Sequence, residues 1–156
     1  MDNNMNHMQP YEVPPMQNAP GKTMLKVVSI VFIVVCALFI FGTLINILLL
    51  NWTLPYFGGE AMRGAWIIYY GVNLVFGTFG IIMGIMGVRF CNDRSKAGFL
   101  QGLGAVYLTI MVIDLILVFA LGAVTYLGFM AVGGVAFDLI MGVLFIIAAT
   151  FNKQNH

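Results

Sequence analysis

Asp114 and Asp138 each lie inside a long apolar run that contains no Lys, Arg or His. Hydrocarbon is a poor solvent for a carboxylate: an Asp at the centre of a membrane span costs about 2.5 to 3.5 kcal/mol on insertion scales. A basic partner is the usual compensation, and these runs supply none. Three kinds of chemistry remain. Both carboxyls can stay protonated and hydrogen-bond to Asn73, Tyr107 or backbone carbonyls. They can line a path or site for protons or a cation. Or a basic or polar residue of another membrane protein can supply the missing charge.

The elements that must position these acids are helices in a bilayer. Of the 156 residues, 61% are hydrophobic and only 8% are charged. A soluble domain carries about 25% charged residues, so this chain lacks the polar surface to cover a water-soluble fold. Four runs reach the roughly 20 apolar residues that a span requires. They cover about 27–50, 65–88, 97–121 and 126–151. The last two are separated only weakly, but residues 97 to 151 are too many for one span and suit two with a tight turn at Gly122 or Thr125. Barrel strands would alternate apolar and polar residues, and these runs do not. The expectation is all-α: a polytopic left-handed bundle of four transmembrane helices over residues 22–152.

Orientation follows from the basic residues beside the spans. Lys22, Lys26, Arg89, Arg94, Lys96 and Lys153 fall on one side, and only Arg63 on the other. Both termini are therefore expected in the cytoplasm, with the protein in the plasma membrane. Trp52, Tyr56, Phe57, Trp66, Tyr69 and Tyr70 sit where an outer interfacial belt would be. The first run follows a polar tail and has no small-residue cleavage site, so it reads as a span rather than a cleaved signal.

Residues 1–21 are rich in Asn, Gln, Met and Pro and read as a disordered tail. Its Pro10 to Pro15 segment has the composition of a polyproline ligand. Residues 153–156 form a second short tail. Asn51-Trp52-Thr53 matches a glycosylation sequon but touches the expected membrane surface, where a transferase has poor access. The loop carrying Arg89, Arg94 and Lys96 reads as a topology determinant, or as a lipid-headgroup or partner site.

Helices in lipid associate through small residues and hydrogen bonds. Asn73, Gly77, Gly80, Gly84 and Gly87 recur at steps of four and three on the second span. Ser29, Phe32, Cys36, Phe39, Thr43 and Asn46 keep that rhythm on the first. So do Gly104, Tyr107, Met111 and Asp114 on the third, and Ala131, Gly134, Asp138, Met141, Phe145 and Ala148, with Gly142 alongside, on the fourth. A repeat near 3.5 residues implies left-handed crossing. Gly77, Gly80, Gly84, Gly87, Gly134 and Gly142 are the expected helix-packing positions. The third and fourth spans form a hairpin, with Asp114 about 6 Å from midplane and Asp138 near it. Asp114, Asp138, Asn73 and Tyr107 thus form one candidate polar layer.

Gly80-Ile81-Ile82-Met83-Gly84-Ile85-Met86-Gly87-Val88-Arg89, then Lys96-Ala97-Gly98, together with the Asn/Gln/Pro-rich tail, resemble the small four-span membrane proteins of Gram-positive bacteria. The layout is also loosely similar to CD20-like and MARVEL-type tetraspan families. It lacks the cysteine-bearing outer loop of claudins and tetraspanins, and no functional residue carries over.

Cys36 and Cys91 fall in different expected compartments, and His7 and His156 lie in the tails, so neither a disulfide nor a metal site is expected. With net charge +1, few and scattered basic residues and no binding motif, nucleic-acid binding has no support. No nucleophile–base constellation points to an enzyme, and no cofactor is expected. The leading expectation is an accessory or scaffold subunit acting through helix–helix contact in the bilayer, with another membrane protein or a second copy as partner. The alternative is a small proton or cation channel or transporter subunit that uses the Asp pair.

Overall fold

The computed structural model describes residues 21–56, 58–120 and 129–153, with side chains in the last helix described from Val132 onward. Four long helices dominate: α1 (Lys22–Leu48), α3 (Arg63–Phe90), α4 (Ala97–Ala120) and α5 (Phe129–Lys153). Each is long and apolar enough to cross a membrane. A one-turn helix α2 (Leu50–Thr53) and two short 3₁₀ turns, Leu54–Tyr56 and Glu60–Met62, join α1 to α3. Gly58 and Gly59 reverse the chain there with φ of 94° and 68°, a backbone region open mainly to glycine.

The apolar runs and the helices differ at their ends. α1 starts at Lys22 rather than at Val27, and α3 runs from Arg63 to Phe90 rather than over 65–88. Hydropathy reads only the apolar part of a span, while backbone hydrogen bonding carries the helix into flanking charged residues. The tail with Pro10 to Pro15, His7, the turn at Gly122 and Thr125, Phe57, the Ala131 side chain and His156 lie outside the described residues.

α1 packs mainly on α3, and α4 mainly on α5. The outward faces are apolar: Leu38, Leu48, Val75 and Ile116 are 66%, 78%, 66% and 61% exposed. Apolar surface of this extent suits lipid rather than water. The bundle has two core regions. Near the basic end, Leu25, Phe32, Met83, Leu100, Tyr107 and Phe145 pack together. Near the α1–α3 connection, Leu50, Leu54, Trp66, Tyr69, Tyr70, Val118 and Val135 form the second.

The glycine stripe of α3 faces the bundle interior. A Cβ on Gly84 would lie 2.6 Å from Ile33 Cγ1 and 2.9 Å from the Ser29 carbonyl oxygen. On Gly77 it would lie 2.7 Å from Ile40 Cγ1. Gly80 and Gly87 meet Cys36 and Ser29 in the same way. Gly104 and Gly142 do this between α4 and α5, against Ile146 and Leu108, each at 2.6 Å. The absence of side chains here lets α1 reach α3, and α4 reach α5, at close range.

Gly134 differs from that expectation. It is exposed, and nothing lies within 4 Å of a Cβ placed on it. Phe39 and Asn46, read as interior positions on α1, are also exposed. The aromatic belt divides as well. Trp52 and Tyr56 are 80% and 81% exposed, whereas Trp66, Tyr69 and Tyr70 are core residues.

Candidate functional site

The site lies in the half of the bundle nearer the α1–α3 connection. At the basic end α1 and α5 touch, with Gly21 against the backbone of Phe151 and Asn152 and Phe32 6.3 Å from Phe145 between ring centroids. Towards the α1–α3 connection a cleft of about 170 Å³ opens. All four long helices wall it. α1 contributes Phe39, Thr43 and Asn46; α3 contributes Tyr69, Tyr70 and Asn73; α4 contributes Asp114; α5 contributes Gly134, Val135 and Asp138.

The exposed part of the lining belongs to α1 and α5. Among the lining residues, Phe39, Asn46 and Gly134 are exposed, while those of α3 and α4 are buried. Gly134 therefore lies on the exposed rim of the cleft and not at a helix–helix contact. At the depth of the acids, a smaller void with room for about one water is bordered by Cys36, Asn73, Tyr107, Asp114 and Asp138. Asn73, Tyr107, Asp114 and Asp138 thus surround one space.

Their hydrogen bonding is lopsided. The Asn73 amide donates to the Tyr69 carbonyl at 2.8 Å, and the Thr43 hydroxyl to the Phe39 carbonyl at 2.9 Å. The Asn46 amide donates to the Gly42 carbonyl at 2.9 Å. These donors turn back on their own helices, as polar side chains in helix interiors often do. The Tyr107 hydroxyl approaches the Asp138 carboxyl. Asp114 is only 4% exposed, and its buried Oδ1 has no hydrogen-bond partner. Asp114 and Asp138 are close enough to feel each other's charge.

No Lys, Arg or His borders this space among the described residues. Arg63, the nearest cation in sequence to this end, is held elsewhere. Its guanidinium donates to both Glu60 carboxylate oxygens at 2.6 Å and to Asn51 Oδ1 at 3.1 Å. That contact also occupies the side chain of the Asn51-Trp52-Thr53 sequon.

Towards the basic end the cleft is closed. Tyr107, Phe32 and Phe145 are at most 2% exposed, and Phe32 meets Tyr107 edge-on at 4.9 Å. Phe79 also stacks on Tyr107, at 6.4 Å between ring centroids.

No protein-family model, curated protein or solved structure matches this chain.

Among the described residues, no three His, Cys, Asp or Glu side chains cluster as metal ligands do. Cys36 and Cys91 are both buried free thiols. The basic loop is a separate structure at the other end of the bundle. There Asp93 accepts from the Ser95 amide at 2.9 Å and the Ser95 hydroxyl at 2.6 Å, capping the 3₁₀ turn Arg94–Lys96. Those Ser95 bonds hold the Asp93 carboxyl below the ordinary Asp range. Arg89 stands over the Phe90 ring at 5.7 Å.

Sequence reasoning missed one face. Gly98, Gly102, Ala105 and Thr109 recur at steps of four, three and four on α4, and all four are exposed. A Cβ on Gly98 or Gly102 would meet nothing within 4 Å. The same spacing rule that picked out the α3 stripe applies here, but spacing does not tell an inward from an outward face.

Proposed function

We propose that the protein is a multi-pass protein of the plasma membrane, with both termini in the cytoplasm. It acts as a non-catalytic accessory or scaffold subunit through helix–helix contact. The observation that carries this reading is the outward small-residue face of α4. A stripe of Gly98, Gly102, Ala105 and Thr109 lets another helix approach closely in lipid, where apolar burial provides little drive. The six basic residues at the other ends of the spans support the cytoplasmic assignment, and the 3.5-residue rhythm of the stripes supports left-handed crossing.

The test is the mass of the complex purified in mild detergent. Gly98→Leu with Gly102→Leu is expected to release the partner, whether a second copy or another membrane protein, and to leave the bundle folded. A wild-type protein that is monomeric and free of membrane partners overturns the reading.

The acidic cleft favours a second reading, a proton or cation channel or transporter subunit. Phe32, Tyr107 and Phe145 close the basic end, so transport through one bundle would require their rearrangement. Proteoliposome flux that disappears in Asp114→Asn and Asp138→Asn supports this reading; absence of flux in the wild type removes it.

A further inference from the structure

We propose that the cleft between α1 and α5 is a binding site for a monovalent organic cation with a body of about one aromatic ring, admitted from the side of the bundle. The site lies on a different face from the α4 stripe and does not depend on the accessory role.

Charge comes first. Two carboxyls share a space that no cationic side chain borders among the described residues, and the Oδ1 of Asp114 is buried without a donor there. The Thr43 hydroxyl and one N–H of each of Asn73 and Asn46 are bonded to carbonyls of their own helices, and no side chain donates to this oxygen. A buried acceptor without a donor is costly, and a ligand that brings both a donor or positive charge and apolar surface removes that cost. A second copy of this chain cannot bring it from within a span, because the described spans hold no Lys, Arg or His between Val27 and Leu48, Gly64 and Val88, Ala97 and Ala120, or Phe129 and Asn152.

The walls define the chemical class. Phe39, Tyr69 and Tyr70 line the cleft beside the acids. Tyr70 is fixed by stacking on Trp66 at 5.8 Å, and Tyr69 by an edge contact with Trp66 at the same distance. Aromatic faces near carboxylates attract an ammonium by cation–π interaction, most strongly when it is desolvated. Among the described residues no three His, Cys, Asp or Glu side chains cluster here as the ligands of a metal ion do, whereas aromatic rings stand beside both acids. The volume defines the size. A cavity of about 150 Å³ accepts a benzene-sized guest, and this one is about 170 Å³. The mouth defines the route. Phe39, Asn46 and Gly134 open it on the lateral α1/α5 side, where a lipophilic cation partitioned into the bilayer would arrive.

The probe is benzyltrimethylammonium, measured by equilibrium dialysis against the full chain in detergent micelles. Neopentylbenzene, its uncharged carbon isostere, and sodium chloride serve as competitors. The expected result is one saturable site per chain that neither competitor displaces. Asp114→Asn and Asp138→Asn should each weaken binding about tenfold or more, the scale of a desolvated charge contact. Tyr70→Leu should weaken it and Tyr70→Phe retain it, with melting temperatures confirming that each variant is folded. Gly98→Leu with Gly102→Leu should leave binding unchanged, which separates this site from the accessory role. The proposal is overturned by absence of saturable binding, by binding retained in both Asp variants, by equal competition from neopentylbenzene, or by displacement with equimolar sodium.

Discussion

The two halves of the bundle solve the same packing problem in opposite ways. Near the basic end, Gly80, Gly84 and Gly87 of α3 let α1 come so close that Phe32, Tyr107 and Phe145 fill the remaining space. Near the α1–α3 connection, α3 presents Trp66, Tyr69, Tyr70 and Asn73 in place of glycine. These large side chains occupy the interior, Gly134 adds nothing from α5, and a cleft is left over both carboxyls. Close backbone approach makes a dry and closed half. Bulky residues facing a glycine make an open one. The acids fall where the second kind of packing begins, which gives them room that the first kind would deny.

The contrast can be broken from the dry side first. Phe145 is 0% exposed and Phe39 is 38% exposed. Phe145→Ala should cost about 3 to 5 kcal/mol of unfolding free energy, the usual range for a buried Phe, while Phe39→Ala at the cleft rim should cost less than about 1 kcal/mol. Denaturation of the two variants in mixed micelles measures the difference, and equal losses would mean that the halves do not differ in packing.

A smaller effect is expected at the glycines. Gly84→Ala must push aside Ile33 and the Ser29 carbonyl, an overpacking cost of about 1 to 3 kcal/mol. Gly134→Ala meets open space and should be neutral or slightly stabilising, by up to about 1 kcal/mol from helix propensity. The same denaturation assay compares them, and loss of stability in Gly134→Ala would mean that a neighbouring element packs against Gly134.

The smallest effect concerns the acid itself. Asp114→Asn replaces a buried carboxyl with a neutral amide of the same shape and should raise unfolding free energy by about 1 kcal/mol, part of the cost of an Asp in a span. A matched loss of stability would instead show that the carboxyl is held by favourable contacts. Stability gained together with ligand affinity lost is the pattern expected of a residue kept for binding.

Much of this was legible in the chain. The apolar runs mark all four long helices, because a span must satisfy its backbone internally and little but an uninterrupted apolar helix does so. Asp114 and Asp138 stand out by type alone, and the α3 glycines by their spacing. The stripes were less reliable at their ends. Phe39, Asn46 and Gly134 keep the interior rhythm yet face the opening, because a period records which residues share a helix face and not how far away the next helix lies. For the same reason the outward stripe of Gly98, Gly102, Ala105 and Thr109 reads like the inward one on α3.

By itself, then, the sequence determined an all-helical chain with four helices able to cross a membrane, two acids within them and no basic residue beside those acids. Each of these is a matter of residue type along one chain, and the physics of a span acts locally. Only the tertiary structure decided that the acids share a single cleft, that Asp114 keeps an unpartnered oxygen, that the cleft opens between α1 and α5, and that Phe32, Tyr107 and Phe145 close it below. Those depend on the distances between helices, which are set by the sum of small and large side chains meeting from different parts of the chain.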